Sequence, residues 1–183
     1  MRSPPTAGRF AWTRPAAFAA LCLAAFLTTV PGPTGAEPAR RLAGNVDKVL
    51  DGDTLIITGE RVRLWGIDAP ETRQACEGRD GAVYLCGQMA AKAMRELART
   101  GPIDCEVRDV DRYGRNVARC SLTVGRHAGA DLGGTLVAQG WALDYPRYSR
   151  RYYAAAEAGA QAGQLGMWSG RFERPWDWRR SRK

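Results

Sequence analysis

The segment from Gly44 to Glu71 constrains the fold more than any other part of the chain. It consists of two runs, GNVDKVLDGDTLIIT and RVRLWGIDAPE, which are rich in β-branched and aliphatic residues and are separated by Gly59 and Glu60. This pattern predicts two strands joined by a turn near Gly59, with Pro70 ending the second strand. Asp51 and Asp53 flank a glycine inside the first run. A turn or bulge alone explains an isolated Asp-Gly-Asp-Thr, so the rest of the chain must decide whether these carboxylates have a chemical role.

The sequence pattern after Glu71 predicts a loop, a hairpin and several helices. The glycine-rich, charged stretch from Thr72 to Cys86 reads as a loop, and residues on either side of DRYG alternate as in a hairpin whose turn is Tyr113-Gly114. Apolar residues at helical spacing predict a helix over 87–100, a short helix from Asp131 that stops at Gly140, and a longer helix capped by Ser149 that ends before Gly166.

The order of these elements predicts an α+β architecture. We expect a small five-stranded OB-type β-barrel with about three attached helices. Four aromatic residues near the C-terminus should pin the tail on the domain surface, and the final RRSRK is predicted to be a mobile basic tail; the aromatic residues are Trp168, Phe172, Trp176 and Trp178.

The first 36 residues have the composition of a secretory signal peptide. Arg2, Arg9 and Arg14 precede the apolar run AAFAALCLAAFLTTV, and PGPTGAEP follows it, which predicts cleavage after Ala36. An uncleaved anchor is the alternative, but the run is shorter than the roughly 20 residues of a spanning helix; a lipid on Cys22 is a minor one. We therefore divide the chain into a leader (1–36), a short linker (37–43), a domain (44–170) and a Trp/Arg-rich tail (171–183).

Removal of this leader leaves 147 residues, the usual size of one domain with one core. The remaining chain has 24 Lys and Arg against 19 Asp and Glu, a net charge of +5, which favours an anionic partner such as nucleic acid or a membrane surface.

Four cysteines remain after the leader, and an even number in an exported chain favours disulfides. Four cysteines allow three pairings, of which we prefer Cys76 with Cys86, closing a loop, and Cys105 with Cys120, across two strands. A four-cysteine zinc site is the alternative, but none of the spacings forms a Cys-x-x-Cys knuckle.

Several charged motifs follow one another in a fixed order: DGDT with Asp51 and Asp53, RLWG with Arg63, IDAPE with Asp68 and Glu71, and DRYGR with Arg115. In this series the sequence resembles the staphylococcal-nuclease-like (thermonuclease) family. The resemblance extends from about Gly44 to Trp168. Each motif is weak alone, but all of them in this order are specific.

The resemblance implies a set of cation ligands and a phosphate site. Asp53, Asp68 and the main-chain carbonyl of Ala69 match the ligands of one calcium ion, and Asp51 matches an acid just outside them. Arg63 and Arg115 match the arginines that hold the scissile phosphate, and Glu71 matches the proposed general base. Tyr113 matches a phosphate-contacting tyrosine and Tyr148 a nucleotide-contacting one. Arg112 belongs to the predicted turn, from which it can contact a backbone phosphate of the substrate. In this chain Ala69 replaces threonine, Pro146 alters the segment before Tyr148, and the loop from Thr72 to Cys86 carries two cysteines.

The chemistry of these residue types agrees with that reading. Carboxylate and carbonyl oxygens favour calcium, magnesium or manganese over zinc, and guanidinium groups donate paired hydrogen bonds to phosphate. The only histidine is His127, in a turn segment, so mechanisms that need two histidines are excluded and Glu71 is the natural base. The alternative role of Glu71 is structural: its carboxylate would accept hydrogen bonds that orient the loop or Arg63.

The sequence therefore predicts an exported, calcium-dependent nuclease. It would hydrolyse DNA and RNA with low sequence specificity, leave 3′-phosphate ends, act as a monomer without stable membrane association, and reach the periplasm or the medium. The alternative is a non-catalytic OB-type nucleic-acid-binding module, because a fold does not determine a function.

Overall fold

A computed structural model describes residues 40–125 and 127–182. The predicted leader lies outside the described residues. The described strands are β1 (Arg41–Gly44), β2 (Val46–Val49), β3 (Thr54–Ile57), β4 (Glu60–Leu64), β5 (Ile67–Asp68), β6 (Cys76–Glu77), β7 (Val83–Tyr84), β8 (Ile103–Val110), β9 (Asn116–Leu122) and β10 (Leu143–Asp144). The described helices are α1 (Cys86–Ala98), α2 (Leu132–Ala138), α3 (Pro146–Ser149), α4 (Ala154–Ala162) and α5 (Pro175–Ser181), with a 3-10 helix at Gly166–Ser169.

The main sheet curls back on itself. Its strand order is β1-β8-β9-β4-β3-β2, and β4 pairs with β9 in parallel while the other neighbours are antiparallel. Only Asn45 separates β1 from β2, yet these strands lie at opposite ends of that order. The two edges must therefore approach each other, as in the OB-type barrel expected from the sequence.

The main core lies between the concave face of this sheet and helices α1 and α2. Leu55, Ile57, Val62 and Leu64 alternate along β3 and β4 and are almost fully buried, and Met94 of α1 packs against the same cluster. The period of two in the strands and the helical spacing in α1 bring one apolar face of each element together.

A second, smaller cluster lies beside the loop after Glu71. Its buried members are Cys76, Cys86, Leu143 and Met167, and Trp168, Phe172 and Trp176 pack against them. The prediction that aromatic residues pin the C-terminal segment to the domain is thus confirmed for these three side chains. Both predicted disulfides, Cys76–Cys86 and Cys105–Cys120, are formed.

Two local predictions were wrong. The helix expected after Ser149 begins only at Ala154, because Arg150 and Arg151 have φ angles of 51° and 66°, in the left-handed region that ends a right-handed helix. The number of helices was also wrong: α5 extends through Ser181 into the basic tail, whose mobility stays a prediction. The short α3 and this C-terminal α5 account for five described helices where about three were expected. Among residues 40–125 and 127–182, no helix has the length and apolar character needed to cross a membrane.

Candidate functional site

The DGDT motif forms the tight connection between β2 and β3. The main-chain nitrogens of Leu50 and Asp51 donate to the carbonyl oxygen of Thr54, and the carboxylate of Asp51 accepts from the main-chain nitrogen of Asp53 at 3.0 Å. At Gly52, an added Cβ would lie only 2.7 Å from the Cβ of Ala69. The glycine therefore allows this turn to pack closely against the segment that carries Asp68.

Arg63 joins the two buried carboxylates of the site. One guanidinium nitrogen donates to Asp53 Oδ1 at 2.7 Å and the other to Asp68 Oδ1 at 2.8 Å. Asp53 also accepts from the main-chain nitrogen of Ala69 at 3.1 Å through its second oxygen. Asp53 and Asp68 are 3% and 0% exposed, so both acids depend on these partners for compensation of their charge.

Glu71 lies beside this pair, on a loop that a buried glutamine holds in place. The side-chain oxygen of Gln74 accepts from the main-chain nitrogen of Glu71 at 3.3 Å, and its amide nitrogen donates to the carbonyl oxygen of Glu173 at 2.6 Å. Gln74 is 0% exposed. It therefore fixes the Glu71 loop to the C-terminal segment.

Arg179 of α5 is a site residue that the sequence analysis missed. Its guanidinium donates to Asp68 Oδ2 at 2.6 Å, to Asp68 Oδ1 at 3.1 Å and to Glu71 Oε1 at 2.8 Å. The available signal was its spacing from Trp176, because residues three apart share a helix face and that tryptophan was expected to pack inward. We call the six charged residues that meet here the acid–arginine cluster: Asp51, Asp53, Arg63, Asp68, Glu71 and Arg179.

The protonation equilibria of the acid–arginine cluster reflect burial and crowding of negative charge. Burial, and next the charge of Asp53, raises the pKa of Asp51 to about 6. Burial also raises the pKa of Asp68, although Arg179 opposes that change. Burial lowers the pKa of Arg179, but its hydrogen bonds to Asp68 and Glu71 outweigh this effect and the pKa rises above its usual range. The cluster therefore favours bound cations.

Arg115 directly precedes β9, the strand that pairs with the strand of Arg63, and its guanidinium binds Asp111 and not the acid–arginine cluster. Asp111 holds its guanidinium at 2.8 Å and 2.7 Å, and accepts from its main-chain nitrogen at 3.1 Å. Arg63 of β4 is the register partner of Val117 of β9. Arg115 comes two residues before Val117, so the alternation of side chains places it on the same face of the sheet as Arg63.

The implied substrate-contact residues are exposed side chains around this face. The guanidiniums of Arg112 and Arg115 lie 4.9 Å and 5.5 Å from the ring centroid of Tyr113, which is 65% exposed at the hairpin turn. Tyr148 is 56% exposed and packs edge-on against Tyr145. His127 is exposed in a turn, as expected.

The donor atoms suit a hard cation. Asp53, Asp68 and Ala69 offer carboxylate and carbonyl oxygens, the ligands that calcium prefers. Within the described ranges, no group of three or more His, Cys, Asp or Glu side chains has the arrangement of a metal site.

The curled sheet and the acid–arginine cluster define an OB-type domain with a charged site on one face. A family model described as "Staphylococcal nuclease homologue" matches residues 61–170. The chain belongs to this family.

Three similar proteins carry different names. Succinoglycan biosynthesis protein ExoI of Rhizobium meliloti (strain 1021) is 40% identical over 121 residues, covering 66% of this chain and 61% of that protein. Micrococcal nuclease of Shigella flexneri is 31% identical over 152 residues, covering 76% and 82%. The probable staphylococcal-like nuclease CAN1 of Oryza sativa subsp. japonica is 30% identical over 134 residues, covering 72% and 36%. The chain thus spans less than two thirds of the first and third relatives.

Proposed function

We propose that the protein is an exported, calcium-dependent nuclease that hydrolyses phosphodiester bonds of DNA and RNA with low sequence specificity. The observation that carries the proposal is the meeting of Asp53, Arg63, Asp68 and Glu71, supplied by separate segments, in one site. Membership of the staphylococcal nuclease family and the names of two relatives support it.

Asp53, Asp68 and the Ala69 carbonyl would hold the cation, which would supply positive charge to the phosphate and to the oxygens that become negative in the transition state. Arg63 and Arg115 would bind phosphate oxygens, because a planar guanidinium matches two oxygens at once. In the described state Arg63 donates to Asp53 and Asp68, so phosphate binding requires it to exchange these partners.

Glu71 would take the proton of the attacking water. The water oxygen would form the new bond to phosphorus as the bond to the 5′ oxygen breaks. The 5′ oxygen would take a proton from solvent water and leave as a hydroxyl, and a 3′-phosphate would remain. The carboxylate of Glu71 is 37% exposed, which allows contact with solvent water. His127, the only histidine of the chain, lies exposed in the turn after β9, and we give it no role in the reaction.

Export and monomeric action are further parts of this proposal. The leader composition and two disulfides favour an oxidising compartment, either periplasm or medium, and the charge of +5 without the leader favours an anionic partner such as the proposed nucleic-acid substrate.

The decisive experiment is cleavage of single-stranded DNA and RNA by the purified protein with calcium or with a chelator. We expect fragments only with calcium, and extension of the DNA fragments by a polymerase only after phosphatase treatment, because a 3′-phosphate blocks extension. Retention of nucleic acid without cleavage under every metal tested would instead identify the binding module.

Arg63→Lys and Arg61→Lys form a matched pair for this assay, since Arg61 is an exposed arginine on the same strand. We expect a loss on the order of 100-fold for Arg63→Lys, as for the removal of one transition-state donor, and little change for Arg61→Lys. Arg115→Lys should resemble Arg63→Lys while leaving the fold intact. Activity near that of the wild type in Arg63→Lys or Arg115→Lys would contradict the assignment of these two arginines as a phosphate clamp.

A further inference from the structure

The C-terminal segment crosses the second cluster and contributes Arg179 to the acid–arginine cluster. Arg171 exchanges two main-chain hydrogen bonds of 2.9 Å with Glu77, and the carbonyl oxygen of Glu173 accepts from Gln74. Trp176 then stacks on Tyr145, with ring centroids 5.0 Å apart and planes 3° apart. One turn later Arg179 binds Asp68 and Glu71. We call Arg171–Ser181 the C-terminal strap.

We propose that the C-terminal strap is an internal competitor of the cation and of the substrate, with Arg179 occupying cation ligands and Trp176 occupying a base-stacking position. The proposal rests on the calcium-dependent nuclease function proposed above. In this view the strap must lift from the site before the cation binds.

The oxygen atoms of Asp68 carry the first step of the argument. Asp68 Oδ2 accepts from Arg179 at 2.6 Å, and Asp68 Oδ1 accepts from Arg179 at 3.1 Å and from Arg63 at 2.8 Å. Both oxygens of Asp68 therefore already have cationic partners. Because the Asp68 side chain is 0% exposed, neither oxygen faces open water. A cation that uses Asp68 must therefore displace a guanidinium.

Arg179 is the easier of the two guanidiniums to displace. Its side chain is 34% exposed, against 19% for Arg63, which lies on a strand with neighbours on both sides. Arg179 lies in a helix of only seven residues. Short helices on a domain surface open locally at lower free energy than central strands.

The contacts of the C-terminal strap divide it into a fixed base and a releasable end. Arg171, Glu173 and the buried Pro175 hold the base to the Glu71 loop and the second cluster. Beyond them, α5 contacts the rest of the domain through Trp176, which stacks on Tyr145 and packs at the edge of the second cluster, and through the ion pairs of Arg179. Release of α5 would therefore leave the base and the main sheet in place.

The Trp176 stack extends the competition to nucleic acid. Tyr145 directly follows β10, in which Leu143 is the register partner of Asp68, and its main-chain nitrogen donates to Gly66 at 2.9 Å, so it lies on the segment paired with the one that carries Asp68. A nucleobase stacks on an aromatic ring in the same parallel geometry that Trp176 adopts. A bound polynucleotide could thus place a base on Tyr145 and a phosphate near Arg63 only after the strap has moved.

Calcium affinity without nucleic acid tests the proposal directly. Arg179→Gln removes the guanidinium, and Arg180→Gln is a matched control, because Arg180 is exposed on the same helix and pairs with Asp177. By calorimetric titration we expect about tenfold tighter calcium binding for Arg179→Gln, since apparent affinity scales with the fraction of molecules in which the site is open. We expect no change for Arg180→Gln.

A double-mutant cycle with Trp176→Ala tests whether the stack and the ion pair act as one device. Trp176→Ala alone should also strengthen calcium binding, by less than Arg179→Gln. In the Arg179→Gln background it should add nothing, because the strap is already released. Independent, additive gains in affinity would contradict a single strap.

Hydrogen exchange supplies the structural readout. Calcium should accelerate exchange of the amides of residues 176–181 in the wild type, while the amides of β4 and β9 keep their protection. Calcium-induced slowing of exchange in this helix would overturn the proposal, because it would mean that the cation binds with the strap in place.

The outcomes separate this inference from the proposed function. If the wild type binds calcium and cleaves DNA but Arg179→Gln binds calcium with the wild-type affinity, only the strap is refuted. If Arg179→Gln loses activity at unchanged calcium affinity, Arg179 is a substrate-binding residue instead and the inference is wrong. If neither protein binds calcium, both the cation site and the strap are refuted.

Discussion

The two disulfides have similar loop lengths but connect very different parts of the molecule. Cys105 and Cys120 are register partners in β8 and β9, whose hydrogen bonds already fix the strands. Cys76 and Cys86 join the two-residue strand β6 to the first residue of α1, beside the loop of Glu71. The first bond reinforces a region that regular structure holds, whereas the second holds a region with little regular structure. The sheet therefore determines stability, and the loop with the C-terminal strap determines how the site is presented.

Truncation of one core residue in each region should give the largest effect. Leu64→Ala in the main core should lower the free energy of unfolding by about 2–5 kcal/mol, through lost burial and a cavity. Met167→Ala in the second cluster should lower it less, since fewer buried groups surround that side chain, but should also loosen the C-terminal strap. Urea denaturation measures the first effect and hydrogen exchange of α5 the second. Equal losses of stability with an unaltered α5 would contradict the division into two regions.

Removal of each disulfide separates stability from activity. Cys→Ala changes at 76 and 86 or at 105 and 120 should each lower the free energy of unfolding by about 3 kcal/mol, because the closed loops span 10 and 15 residues. Only the change at 76 and 86 should alter calcium affinity and the rate of DNA cleavage at a temperature where both variants are folded. A larger kinetic defect in the 105 and 120 variant would reverse the comparison.

Gly87→Ala should disturb the site from the loop side. A Cβ at this position would overlap the main-chain carbonyl of Glu71, which cannot move aside as a flexible side chain could. We expect a loss of about 1–3 kcal/mol in the free energy of unfolding from overpacking, together with reduced cleavage because Glu71 shifts. Gly159→Ala in α4 is the control, since its added methyl group meets nothing within 4 Å and should stabilise the helix by about 0.5–1 kcal/mol.

The ion pair of Asp111 and Arg115 on the sheet side should have the smallest effect on stability. Burial acts to raise the pKa of Asp111, but the hydrogen bonds from Arg115 and Tyr113 outweigh it and the pKa falls below 3.8. A depressed folded-state pKa contributes stability above the ordinary pKa, and this contribution is lost as pH falls through and below that value. Asp111→Asn should therefore remove less than about 1 kcal/mol at neutral pH and reduce the loss of stability on acidification. A larger acid sensitivity in the variant would contradict this sign.

Most of the site on the sheet could be predicted because its residues belong to local patterns. The strand of Arg63 and the hairpin before Arg115 follow from glycine, alternation and β-branching within a few residues. The first run was predicted as one strand, and the turn at Asp51–Thr54 instead divides it into β2 and β3. The cysteine pairing was likewise predictable from the hairpin and the loop. These features depend on short stretches of chain.

The unpredicted features depend on contacts between distant segments. Arg179 meets Asp68 across 111 residues and Gln74 meets Glu173 across 99, and no local pattern in RRSRK indicates that its first arginine is half-buried. The start of α4 was wrong for a related reason. Tyr153 is buried and donates to Asp131, so tertiary packing held Arg150 and Arg151 in left-handed conformations against the helical tendency of the surrounding residues.

The parallel pairing of β4 with β9 has a consequence for how the domain tolerates insertions. Arg63 lies on β4 and Arg115 directly precedes β9, and adjacent strands in a sheet lie about 4.8 Å apart whatever the length of the connections between them. The 51 residues from Leu64 to Gly114 include the disulfide loop, α1 and the hairpin turn. Segments within this stretch can lengthen or shorten without changing the separation of the two arginines, so substrate preference can diversify in the loops while the spacing of the phosphate clamp stays constant.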